Sequence, residues 1–133
     1  MSVDLSLYEH FVDSVTSEPS KNLDVWVNKL NDLQSQGINP ALLLTGSTGL
    51  AGESGEFSEI VKKLNWHGKD LTPDLRAHMQ KELGDVIFYW MMCCQALNLD
   101  PNEVISENVN KLQARYPGGF SVARSENRAE GDI

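Results

Sequence analysis

Residues 39–64 read NPALLLTGSTGLAGESGEFSEIVKKL, and residues 72–97 read TPDLRAHMQKELGDVIFYWMMCCQAL. Each stretch opens on a residue type that caps helices, Asn39 or Thr72, followed by a proline where the first helical residue would stand. In the first stretch Leu43, Leu50, Phe57, Val61 and Leu64 fall within about 40° of one line at ~100° per residue, which predicts a long helix with one apolar stripe. The second stretch reads as another long helix, reaching about Leu97. The loop between them, Asn65 to Leu71, is short enough to make the two helices antiparallel neighbours.

Outward from this pair the pattern stays helical. Tyr8, Phe11, Val12 and Val15 predict a helix over roughly 5–17, interrupted at Glu18-Pro19-Ser20. Leu23, Trp26, Val27, Leu30 and Leu33 predict a second helix closed by Gly37. Asp100, Pro101 and Glu103 open a last helix that ends near Arg115, and the tail after Pro117-Gly118-Gly119 shows no period, so a loop or arm is expected. The fold expected is all-α: an antiparallel bundle of about four to five helices in one domain. Residues 1–38 would hold the N-terminal helices, 39–115 the helices that carry the chemistry, and 116–133 a C-terminal arm. The run Val86 to Cys94 is apolar on every side of its helix and needs burial on two sides, which one small bundle rarely supplies. A homodimer or homotetramer is therefore expected.

Composition narrows the function. The 133 residues carry a net charge of −8, against the basic stripe that nucleic-acid binders use. No apolar run approaches the roughly 20 residues of a membrane span. The start Met1-Ser2-Val3-Asp4 lacks the features of a signal peptide, and the two cysteines, Cys93 and Cys94, are adjacent and point about 100° apart on a helix. No disulfide framework follows, and a cytoplasmic setting is expected. Gly46, Gly49, Gly52 and Gly55 recur every third residue without the pattern of a phosphate loop; they read as a thin helix surface where another backbone comes close.

The chemistry lies in the acids. Glu53 and Glu56 are helical neighbours three residues apart, and so are Glu82 and Asp85 on the next helix. Counted from the intervening turn the two pairs fall at similar height, each at the margin of an apolar stripe. Four converging carboxylates cannot all stay ionised without a positive charge among them. Oxygen-only ligands favour Mg²⁺, with Mn²⁺ as a substitute, the usual setting of phosphoanhydride chemistry. The plain alternative is a solvated acidic face. None of the three histidines has Glu three residues before it, which argues against a di-iron bundle.

Other side chains carry two readings each. Tyr89 shares the margin of Glu82 and Asp85, where it would touch ribose or base, or simply pack. His67, beside Trp66 in the loop, would reach phosphate or base, or cap the core. Lys63 would reach a phosphate or lie on the helix surface. Lys111 and Arg115 are one turn apart, either a phosphate clamp or a basic helix end favoured by the dipole. Glu59 continues the acidic series further from the stripe. Trp26, His78 and the cysteines read as structural.

The ordered set Gly49-Leu-Ala-Gly-Glu-Ser-Gly-Glu56, Lys62-Lys63, His67-Gly68 and Glu82-Leu-Gly-Asp-Val86 resembles the MazG-like nucleotide pyrophosphohydrolases, whose signature is ExxE, a spacer, then ExxD. Asn108, Lys111-Leu112, Arg115-Tyr116-Pro117, Gly119-Phe120-Ser121 and Asn127-Arg128 extend the likeness over about residues 40–128. The resemblance implies an oligomeric helical bundle that converts a (deoxy)nucleoside triphosphate to monophosphate and pyrophosphate. It implies Mg²⁺ on Glu53, Glu56, Glu82 and Asp85, with Glu53 or Glu56 also orienting or deprotonating the attacking water. Asn108, Lys111, Arg115 and Tyr116 would bind phosphates or nucleotide. A non-catalytic nucleotide or metal sensor on the same fold, or an acidic interaction protein, stands as the alternative.

Overall fold

The computed structural model describes residues 4–127, and every element of more than an isolated bridge there is a helix. The elements are α1 (Ser6–Val15), α2 (Glu18–Lys21), α3 (Leu23–Ser35), α4 (Pro40–Trp66), α5 (Pro73–Ala96), α6 (Pro101–Arg115) and α7 (Val122–Glu126). Met1, Ser2, Val3, Arg128 and the residues after it lie outside the described part, and with them the end of the expected C-terminal arm. No described helix is long and apolar enough to cross a membrane.

Local chemistry sets the boundaries. Asn39 Oδ1 accepts the Leu42 amide at 3.0 Å, Thr72 Oγ1 the Leu75 amide at 3.2 Å, and Asp100 Oδ1 the Asn102 amide at 2.8 Å, so each long helix starts with one of its orphan donors satisfied. Helix α3 ends where Gly37 takes φ +87° and the Ile38 amide turns back to the Leu33 carbonyl at 3.2 Å. Helix α5 ends the same way without glycine: Asn98 takes φ +56°, and the Leu99 amide reaches the Cys94 carbonyl at 3.0 Å. The two ends meet. The Asn39 amide donates to the Ala96 carbonyl at 2.8 Å, which ties the start of α4 to the finish of α5.

Helices α4 and α5 are the main packed pair and run antiparallel: Gly46 lies against Cys93, Gly49 against Tyr89, and Glu53 beside Glu82 and Asp85. The predicted stripe of Leu43, Leu50, Phe57, Val61 and Leu64 is half-buried, and the buried residues among those described are Gly46, Ile60, Glu82, Cys94 and Ala96. Helix α3 leans on the first turns of α4, where Trp26, Leu30 and Leu33 face Pro40, Leu43 and Leu44 across a groove of about 250 Å³. Helices α1, α6 and α7 pack only lightly on the rest of the described chain.

Three expectations change. Glu18-Pro19-Ser20 interrupts no helix idly: Pro19 sits in the first turn of a helix, where a missing N–H costs nothing, and α2 is that turn. Helix α4 continues to Trp66, so the loop is shorter than Asn65 to Leu71. The tail contains α7, too short for a period to show in its sequence.

Candidate active site

The middle of the α4–α5 seam carries charge rather than hydrocarbon. Each of Glu53, Glu82 and Asp85 offers a carboxylate oxygen, and these oxygens lie within 4.8 Å of one another. Glu82 is the most enclosed of the three, 8% exposed; Glu53 is half-buried and Asp85 is exposed. Partial burial raises the Glu53 carboxyl above its ordinary value, and the negative charges of Glu56, Asp85 and Glu82 raise it further, as does a hydrogen bond with Glu82. Each of these makes the ionised form of Glu53 costlier than it is in water, a cost that a cation among the acids would relieve. Glu56 stands outside the three-oxygen set, exposed to solvent, and acts on it through its charge. The donor set is all oxygen, dense in negative charge and open on the Asp85 side, and a hard divalent cation such as Mg²⁺ fits it.

Helix geometry explains the grouping. Glu53 projects between the directions of Gly46 and Ile60, the two buried residues of α4, and Glu56 is rotated about 60° beyond it. Gly49 is needed at this height: a Cβ there would lie 2.3 Å from the Tyr89 ring. The Tyr89 ring thus packs against the α4 backbone at Gly49, one turn from Asp85, in a T-shaped contact with Phe88 at 5.1 Å. One histidine joins the cluster that the sequence left as structural. His78 Nε2 lies 2.9 Å from Glu82 Oε1 across one turn of α5. The four-residue interval was the available signal.

The remaining candidates lie elsewhere. Lys63 pairs with Glu59 at 3.5 Å and Lys62 also binds Glu59; the hydrogen bond from Lys62 holds Glu59 below its ordinary value. Glu59 therefore belongs to an ion-paired helix surface. His67 is the exposed C-cap of α4, its amide bonded to the Lys63 carbonyl at 3.1 Å. Asn108 and Lys111 line a hollow of about 350 Å³ on α6 with Val104 and Glu107. Arg115 lies 5.9 Å from the Tyr116 ring, Tyr116 packs on Phe120 at 5.6 Å, and the Arg124 guanidinium donates to the Arg115 carbonyl at 3.3 Å. Because α6 packs only lightly on α4 and α5, this polar group is carried on a separate limb of the chain.

Comparison with known proteins places the chain in a family. The family model described as the MazG nucleotide pyrophosphohydrolase domain matches residues 44–120, more than half of the chain, and spans both acid pairs and α6. A curated relative, the "Gene 37 protein" of Mycobacterium phage L5, is 38% identical over 82 residues, covering 60% of this chain and 71% of the phage protein. No solved structure matches.

Proposed function

The chain belongs to the MazG nucleotide pyrophosphohydrolase family, and from that premise we propose that it hydrolyses (deoxy)nucleoside triphosphates to monophosphate and pyrophosphate, using Mg²⁺ held by Glu53, Glu82 and Asp85. The observation that carries the proposal is the convergence of those three carboxylate oxygens within 4.8 Å, with Glu53 raised by partial burial and by its neighbours' charge. When bound, the cation offsets the charge of the triphosphate and leaves positions for water and phosphate oxygens. Glu56, exposed and one helical step from Glu53, orients the attacking water and takes its proton. The water oxygen bonds to the α-phosphorus as the bond to the bridging oxygen breaks, and pyrophosphate departs. Tyr89, beside the acids, contacts ribose or base. Asn108, Lys111, Arg115 and Tyr116 on and after α6 bind phosphate or nucleotide, with His67 and Lys63 as further contacts near the end of α4. The working protein is a homodimer or homotetramer of these single-domain chains.

The test is product identification. Each ribo- and deoxyribonucleoside triphosphate is incubated with Mg²⁺ and the products are resolved by ³¹P NMR. Monophosphate and pyrophosphate in equal amounts are expected; diphosphate and inorganic phosphate would contradict the reaction, and nucleotide binding without turnover would favour a sensor. Glu82→Gln should lower kcat/KM on the order of 100-fold or more, since one enclosed ligand is lost. Full activity in that variant would remove the acid cluster from the mechanism.

A further inference from the structure

We infer that His78 is a positioning residue that fixes the Glu82 carboxylate for divalent-cation binding. The inference rests on the metal reading of the acid cluster and adds to it a residue outside the ExxE and ExxD pairs. Glu82 is the enclosed member of the cluster, and its side chain has three rotatable bonds between backbone and carboxylate. The structure gives that carboxylate a second anchor: His78, one turn earlier on α5, places Nε2 at 2.9 Å from Oε1. An imidazole N–H donating to one oxygen fixes the plane of the carboxylate and so the direction from which Glu82 meets Glu53 and Asp85. Mg²⁺ demands near-octahedral geometry with short bonds, so a ligand free to swing loses affinity by entropy alone. Ligating carboxylates are commonly held by such outer partners, whose loss weakens metal binding.

A merely stabilising role fits the structure less well. The His78 side chain is 57% exposed, so truncating it opens no cavity in the core. The imidazole end of this bond is open to water, which can take its place as donor to Glu82, so its loss costs little stability. The consequence of the bond therefore falls on where Glu82 points.

The experiment reads metal binding without turnover. The full chain is titrated with Mn²⁺ in the absence of nucleotide, and free Mn²⁺ is followed by its EPR signal. His78→Ala should weaken Mn²⁺ binding about 10–100-fold, the range typical for loss of an outer-shell partner. His78→Gln, whose amide nitrogen can stand where Nε2 stood, should retain most of the affinity, and His78→Asn, which is shorter, should not. Thermal unfolding of the metal-free His78→Ala chain should match the wild type. Wild-type affinity in His78→Ala alongside loss in Glu82→Gln would overturn the positioning role and leave the metal site standing. Equal loss in His78→Gln and His78→Ala would also overturn it. Absence of Mn²⁺ binding in the wild type, or unchanged binding in Glu82→Gln, would remove the metal site itself and His78 with it.

Discussion

Glu53 is the residue on which the charge balance of the site turns. Its carboxyl is raised by partial burial first and by Glu56, Asp85 and Glu82 after that, so the folded chain holds this proton more tightly than the unfolded chain does. The stabilisation that results is fully present below the unfolded-state value and is lost as pH rises through the folded-state value. In EDTA, the melting temperature of the wild type should thus fall relative to Glu53→Gln as pH climbs through and above the carboxylate range, because glutamine stays neutral throughout. Superimposed profiles for the two chains between about pH 4 and 8 would refute this. Saturating Mg²⁺ should reverse the trend, since the cation displaces the proton and binds best when the site is fully ionised. The acids themselves were legible in the sequence from two i, i+3 pairs counted to similar height. Two features were not. Rotation about the α4 axis, rather than height, sets Glu56 apart from the three-oxygen set. The tie between His78 and Glu82 depends on which way an exposed imidazole turns, and spacing alone does not fix that.

At the scale of the helix, the four glycines of α4 separate into two kinds. A step of three residues turns the side-chain direction by about −60°, so a series that starts against α5 soon faces away from it. Gly46 and Gly49 meet α5: a Cβ on Gly46 would lie 2.8 Å from Cys93 Sγ and 3.2 Å from the Cys93 backbone nitrogen. Gly52 and Gly55 have nothing within 4 Å of the same added atom. The sequence showed one repeated small residue and one purpose for all four; the structure keeps that purpose for the first two. Opposite outcomes follow for the same substitution. Gly46→Ala should destabilise by about 1–3 kcal/mol through overpacking, which outweighs its gain in helix propensity. Gly55→Ala should stabilise by up to about 1 kcal/mol, because only propensity changes. Chemical denaturation of the two variants under one set of conditions decides it, and equal shifts of the same sign would mean that α5 does not sit on Gly46 as described. The helix starts were the most legible part of the fold, since Asn39, Thr72 and Asp100 each make the cap that their residue type announces. The helical turn at Pro19 and the short α7 were missed for the reason that makes them marginal: each is too brief to bury a stripe of its own.

For the whole molecule the decisive quantity is surface. The chain exposes 10508 Å², whereas a folded monomer of its 14.8 kDa mass would expose about 7,000 Å², so roughly 3,500 Å² is in excess. Exposed apolar side chains ordered in stripes contribute to it. Ile105, Val109 and Leu112 recur along α6 at 54%, 45% and 41% exposure, and Ile87 and Phe88 lie in the all-apolar run of α5 at 58% each. Two copies would carry about 7,000 Å² of such excess between them, and obligate interfaces bury about 2,000–5,000 Å² in total over both partners, so pairing with a second copy would cover a large share of it. Leaving such stripes in water forgoes most of the stabilisation that α1 and α6 have to offer, because an amphipathic helix in water owes its stability chiefly to packing of its apolar face. Self-association would then be part of folding, and stability would depend on concentration. The wild-type chain should sediment as a dimer or larger species, and its melting temperature should rise with protein concentration. Placing charge in the α6 stripe by Ile105→Glu with Val109→Glu should shift sedimentation toward the monomer, lower the melting temperature and abolish its concentration dependence. These positions lie away from the acid cluster, so loss of assembly would be separable from loss of ligands: Mn²⁺ titration of the double variant reports on Glu53, Glu82 and Asp85 alone. A wild-type chain that stays monomeric at every concentration and still melts cooperatively would show that the exposed stripes of α5 and α6 are covered in some other way.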